Sequence, residues 1–151
     1  FSPLENLTRA QLTAVLYRMD GSPAVSGTCS FTDAKRGAYY ADALVWAERN
    51  ALVNGYGSGA FGVGDAITRE QLVTILYRYA AYKGIDVSAR ADLSGYRDAE
   101  KISGYARDAF GWAVEAGLIR GSGDLLNPQG RTTPAEKAAI AARFHKTFIA
   151  K

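Results

Sequence analysis

Phe61-Gly62-Val63-Gly64-Asp65-Ala66-Ile67-Thr68-Arg69-Glu70-Gln71-Leu72 is the stretch that decides how this chain folds. Its first half is turn-rich, with Phe61 as an apolar anchor among glycines that resist helix formation. Its second half carries Thr68-x-x-Gln71, the pattern of a capping box. The threonine oxygen accepts from an amide of the first helical turn, and the glutamine side chain returns to the threonine amide. Behind it run Leu72, Ile75, Leu76 and Tyr79, spaced three and four apart, which is a helical stripe. Gly84 supplies the stop.

The same stretch recurs. Leu7-Thr8-Arg9-Ala10-Gln11-Leu12 precedes it by 60 residues, and Thr132-Thr133-Pro134-Ala135-Glu136-Lys137 follows by 65. The register extends downstream through Val15, Ile75 and Ile140, then Arg18, Arg78 and Arg143, then Met19, Tyr79 and Phe144. Upstream it links Phe1, Phe61 and Leu126. A preceding block repeats as well: Phe31-Thr32-Asp33-Ala34 with Tyr96-Arg97-Asp98-Ala99, and Trp46-Ala47 with Trp112-Ala113. A repeat of this period is an array of supersecondary units.

One unit therefore reads aromatic-x-Asp, a helix carrying Trp, a glycine-rich loop, Thr-x-x-Gln/Glu, and a second helix. The pattern predicts first helices over about Tyr40–Ala51 and Ser103–Gly117, and second helices behind Thr8, Thr68 and Thr133. Pro134 suits a first helical position, where its missing amide costs nothing. Segments Pro23–Ser30 and Val87–Gly95 read as linkers. The expectation is a mostly α array of five helices with no strand beyond three or four residues. Residues 1–22 form the second half of repeat one, 31–86 repeat two and 96–151 repeat three, all within one domain.

Composition narrows the chemistry. Of 151 residues, 48% are hydrophobic and 22% charged, enough apolar surface for a packed core. One cysteine, Cys29, and one histidine, His145, exclude an internal disulfide and a His- or Cys-rich zinc site. They leave little for thiol or imidazole catalysis. Gly55-Tyr56-Gly57-Ser58-Gly59 lacks the Lys-Ser/Thr of a phosphate loop. The net charge is +3 with no basic run, so nucleic acid is not the expected partner.

Arg9 and Arg69 stand out, because a helix start disfavours positive charge by a few tenths to about 1 kcal/mol. A helix start also binds anions, and an arginine beside it adds a bidentate carboxylate clamp. Alternatively each arginine pairs with an acid such as Asp33 or Asp98. The two aspartates have a plain role open to them too, bracing the approach to the first helices. Trp46 and Trp112 suit either core packing or an edge on which a sugar stacks. Arg18, Arg78 and Arg143 suit bracing of nearby loops.

Taken together, aromatic-x-Asp, Trp-Ala, Gly-x-Gly, Phe1-Ser2-Pro3 and Thr8-Arg9-Ala10-Gln11 resemble the S-layer homology (SLH) family over nearly the whole chain. The resemblance implies a pseudo-threefold arrangement with the second helices as a central bundle. It implies noncovalent anchoring to the envelope, outside the cell, by binding secondary cell-wall polysaccharide in grooves between repeats, often through a pyruvylated sugar. No reaction, cofactor, metal or membrane insertion is implied, and the module is expected to act as a monomer. By the family pattern, Arg9 works with Asp33, Trp46 and the Gly55, Gly57 and Gly59 loop. Arg69 works with Asp98, Trp112, Gly121 and Gly123. A third groove lacks its arginine, since Pro134 stands there, and its other side would come from a first half absent from this sequence. Two other readings stay open: a module that docks a protein partner, and part of a carbohydrate-active enzyme.

Overall fold

The computed structural model describes residues 7–54, 59–121, 123–132 and 134–146. Five α-helices are present among them: α1 (Arg9–Met19), α2 (Ala41–Arg49), α3 (Arg69–Tyr82), α4 (Arg107–Glu115) and α5 (Pro134–Phe144). Short 3-10 turns at Ala99–Lys101 and Gly104–Ala106 lead into α4. No strand forms among the described residues; only isolated bridges join Thr8 to Ala66 and Thr68 to Arg131. The mostly α expectation holds. No helix there is long and apolar enough to cross a membrane.

The capping boxes at Thr8 and Thr68 are both complete. Thr8 Oγ1 accepts from Gln11 N at 3.0 Å and Gln11 Oε1 accepts from Thr8 N at 2.9 Å. The matching pair at Thr68 and Gln71 measures 3.2 and 3.0 Å. The third box, at Thr133, lies outside the described residues. Gly21 and Gly84 follow the ends of α1 and α3 with φ of 86° and 80°. That left-handed backbone suits glycine and lets the following amide return to the last turn, as Ser22 N does to Tyr17 O at 3.0 Å.

The chain divides into two compact units, one spanning Leu7–Ala66 and the other beginning at Ile67. Each joins the second helix of one repeat to the first helix of the next. In the first unit α1 packs on α2, and in the second α3 packs on α4. Both pairs share one aromatic contact. Tyr17 of α1 meets Trp46 of α2 with ring centroids 5.5 Å apart, and Tyr77 of α3 meets Trp112 of α4 at 5.7 Å. The second unit adds α5, where Phe144 lies 6.0 Å from the ring of Tyr79.

The first helices are shorter than their pattern. α2 ends at Arg49 because Ala51 takes a left-handed φ of 57°. α4 starts at Arg107, since residues 104–106 wind as a tighter 3-10 turn whose Ala106 amide returns to Ser103 O at 2.9 Å. In α1 the stripe narrows to Leu12 and Leu16, while Val15 and Met19 are more than one-third exposed. Both linkers run without helix but are tied down. Tyr17 Oη donates to Pro23 O at 2.6 Å, and Ala91 N donates to Gly111 O at 3.0 Å. Gly111 leaves no room for more: a β-carbon there would sit 3.0 Å from Arg90 Cδ.

Thr68→Ala removes the acceptor for the Gln71 amide. It is expected to lower unfolding stability by about 1 kcal/mol, read from urea denaturation, with Thr68→Ser recovering most of the loss.

Candidate functional site

The residues singled out by sequence converge on one short loop in each unit. In the first unit the loop is Gly59–Val63. Arg9, the first residue of α1, is only 5% exposed. Its Nε donates to the Phe61 carbonyl at 2.8 Å and its Nη2 to the Asn54 carbonyl at 3.1 Å. Its guanidinium carbon lies 4.5 Å from the Phe61 ring centroid, in reach of the π face. Asp33 grips the same loop by its amides. Oδ1 accepts from Phe61 N at 2.8 Å, and Oδ2 from Gly62 N at 2.8 Å and Val63 N at 3.0 Å. The peptide groups flanking Phe61 are thus held by a cation on their carbonyl and an anion on their amide.

The second unit repeats the device on Leu126. Arg69, 6% exposed, donates from Nε to Leu126 O and from Nη2 to Arg120 O, both at 2.8 Å. Its Nη1 forms an ion pair with Glu136 of α5. Asp98 accepts from Leu126 N at 2.8 Å and Asn127 N at 2.7 Å. Each arginine and its aspartate therefore meet across a peptide. Arg69 does pair with an acid, Glu136, while Asp33 and Asp98 hold the amides of the loop that passes between them and the arginines. The sequence offered no signal for that intervening peptide, because main-chain carbonyls carry no side-chain identity.

The electrostatics follow. Burial pushes the Asp33 carboxyl up, but the amides of Phe61, Val63 and Gly62 outweigh it and hold it below its ordinary value. Asp98 behaves alike, with Leu126 and Asn127 amides and the nearby charge of Lys101 overcoming burial. Burial draws the Arg69 guanidinium down, while the charge of Asp98 opposes that. It stays cationic, as arginine does in proteins.

The first three amides of α3 are all bonded. In α3 the Arg69 amide donates to Gly130 O at 2.8 Å, Glu70 N to Pro128 O at 2.9 Å and Gln71 N to Thr68 Oγ1 at 3.2 Å. In α1 the Arg9 amide donates to Asp65 O at 3.0 Å. These amides close the loop-to-helix connection. Trp46 and Trp112 are both 2% exposed, inside their helix pairs, and Trp46 Nε1 donates to Asp20 Oδ2 at 3.2 Å. Their faces are spent on packing.

Of the glycines, Gly55 and Gly57 lie outside the described residues. Gly59, with φ of 94°, accepts at its carbonyl from Thr32 N at 2.8 Å. Gly121 is sterically required: a β-carbon there would meet Tyr96 Cε1 at 2.6 Å and Leu125 O at 2.9 Å. Gly123 is exposed with φ of 62°. Arg143 braces a loop as its position suggests, donating to Leu118 O at 3.3 Å. Beside the second clasp lies a cleft of ≈ 260 Å³, whose lining includes Leu118, Arg120, Glu136, Ile140 and Arg143.

Residues 30–73 and 95–136 match the S-layer homology domain. The chain belongs to the SLH family. Over 93% of its length it is 30% identical to an amylopullulanase of Thermoanaerobacterium thermosulfurigenes, of which it covers 8%. It is 26% identical over 95% of its length to the surface-layer 125 kDa protein of Lysinibacillus sphaericus, covering 12% of that protein. It is 26% identical, again over 95%, to the cellulosome-anchoring protein of Acetivibrio thermocellus, covering 33% of it. The SLH chain thus spans a third or less of the length of these relatives. Both matched segments open just before an Asp clasp residue and run into a second helix, so each contains a complete repeat core.

The lowered carboxyls set a pH dependence. A group with a depressed folded pKa stabilises above its unfolded value and loses that contribution as pH falls through the folded one. Stability is therefore expected to decline from about pH 4, the unfolded carboxyl range, downward. Asp33→Asn combined with Asp98→Asn should lower stability at pH 7 and flatten the acid limb, measured by thermal unfolding between pH 2 and 7.

Proposed function

We propose that this SLH chain is a noncovalent anchoring module that holds its parent protein on the cell envelope by binding an anionic secondary cell-wall polysaccharide. The observation that carries the reading is the twofold Arg–loop–Asp clasp in a chain of this family. The same costly arrangement, a guanidinium about 95% buried and a carboxylate spent on amides, is built once in each unit. Its product is a loop pinned at both faces of one peptide. In the second unit that loop adjoins a cleft lined by Arg120, Arg143 and Glu136. The presence of related chains in a surface-layer protein and a cellulosome-anchoring protein supports a cell-surface location.

In this reading the chain performs no reaction. Arg9 with Asp33, and Arg69 with Asp98, set the shape of two binding surfaces from beneath. Gly59, Gly121 and Gly123 keep the loops close and free of side chains, so that sugar hydroxyls reach main-chain groups. Trp46 and Trp112 hold the first helix of each surface against its second-helix partner. Glu136 and Arg143 frame the cleft of the second unit. The charged rim supplies the attraction for an anionic polymer, including a pyruvylated one.

The test is co-sedimentation with polysaccharide released from purified Gram-positive cell walls. The parent chain is expected to pellet with walls stripped of protein and to be released by soluble polysaccharide. Arg9→Ala combined with Arg69→Ala should weaken binding at least tenfold. Retained binding by a folded double variant would remove the clasp from the mechanism. Binding to wall protein but not to its polysaccharide would replace the reading with protein docking.

A further inference from the structure

The two clasp loops follow one course and differ in what ties down their second half. Gly62 and Asn127 hold the same register, and both take a left-handed φ, 85° and 53°. Each opens the same turn: Asp65 N donates to Gly62 O at 3.1 Å, and Gly130 N to Asn127 O at 3.0 Å. The next residue breaks the likeness. Val63 gives Asp33 a third amide, whereas Pro128 has none to give Asp98. The second loop therefore leaves its aspartate one bond earlier.

Two side chains that the first unit lacks act at that point. Glu70, the second residue of α3, is 3% exposed. Its Oε1 accepts from the Gln129 side-chain amide at 2.7 Å and from Ser103 N at 3.2 Å. Gln129 Nε2 also donates to Lys101 O at 2.7 Å. With acceptors on both sides of it, that atom has to be the amide nitrogen. One carboxylate thus joins the helix start, the clasp loop and the turn that leads into α4. The positive end of α3 supports its negative charge. In the register of the first unit, Ala10 stands for Glu70 and Gly64 for Gln129, so neither half of the contact exists there. Donor and acceptor occur together, in the unit whose aspartate lacks the third amide.

We propose that Glu70 and Gln129 are positioning residues for polysaccharide at the second surface alone, bolting its clasp loop to the Lys101–Ser103 turn so that the surface is preformed. The inference rests on the anchoring reading and makes its two surfaces chemically unequal. Lys101, Asn127 and Gln129 are exposed, so the bolt runs from a buried carboxylate to the accessible rim of the loop. A loop fixed before binding spares the ligand the entropic cost of ordering it.

The experiment follows the amides of Gly62 and Asn127 by NMR in the full chain, as separate reporters of the two surfaces. Hydrogen exchange reads the loop, and titration with polysaccharide fragments released from purified Gram-positive cell walls reads affinity. Glu70→Ala and Gln129→Gly each install the residue that the first unit carries at the same place. Both are expected to speed exchange at Asn127 about tenfold, the size of one hydrogen bond to a charged group. Both should weaken the affinity read at Asn127 about three- to tenfold, the cost of ordering a loop on binding. Exchange and affinity at Gly62 should stay as in the parent. Glu70→Gln keeps the acceptor and should stay within about twofold of the parent at both reporters. Unchanged exchange at Asn127 would overturn the bolt. Faster exchange with parental affinity would overturn its part in binding while leaving anchoring intact. Equal losses at Gly62 and Asn127 would overturn the assignment to one surface. A parent chain that ignores the polysaccharide would overturn anchoring itself, and the positioning role with it.

Discussion

A peptide held by a guanidinium on its carbonyl and a carboxylate on its amide is the constraint on which each unit depends. Helices α1 and α3 cannot by themselves fix where the first helix that follows each, and its loop, lie. The clasp does so, because Arg9 and Arg69 project from the first residue of a helix that a capping box has already fixed in place. A guanidinium is suited to this because its planar fork of donors reaches two carbonyls at once, Phe61 with Asn54 or Leu126 with Arg120. Lysine would offer a point charge without that geometry. Main-chain charge-assisted bonds of 2.7–3.1 Å on both sides of one loop convert a glycine-rich segment into a defined surface.

The two copies solve the burial of the cation differently. In the first unit the Phe61 ring, the residue whose carbonyl is gripped, also covers the guanidinium. In the second unit Leu126 stands at that place and has no π face. There Glu136 of α5 contributes a carboxylate to the outer Nη1. Removing charge compensation from a buried ion is far more costly than never burying it. A change from aromatic to aliphatic anchor is therefore matched by an acidic residue on the adjoining helix. Glu136 also occupies the third position of the third capping-box sequence.

What the sequence revealed, and what it hid, divides along a physical line. Capping boxes, stop glycines and the repeat register are local signals, and α1 and α3 start and stop where Thr8, Thr68, Gly21 and Gly84 place them. The convergence of Arg9 with Asp33 and of Arg69 with Asp98 was legible as pairing, but its form was not. The groups between them are backbone, identical in every residue, and leave no trace in composition. The tryptophans were ambiguous for a related reason. An indole on an alanine-rich helix fits a core or a ledge equally well, and only the partners Tyr17 and Tyr77 decide.

The placement of these residues separates scaffold from contact. Arg9, Arg69, Trp46 and Trp112 are nearly inaccessible, so replacing any of them disturbs the loop or helix pair before it disturbs a ligand. Loss of binding in such a variant reports on shape. A repeat that keeps its shape through buried charge can change the residues around its loop without refolding the unit. The clasp constrains both repeats alike, while the charged rim is free to diverge, as the exposed Lys35 and Arg36 after Asp33 already differ in spacing from Lys101 and Arg107 after Asp98.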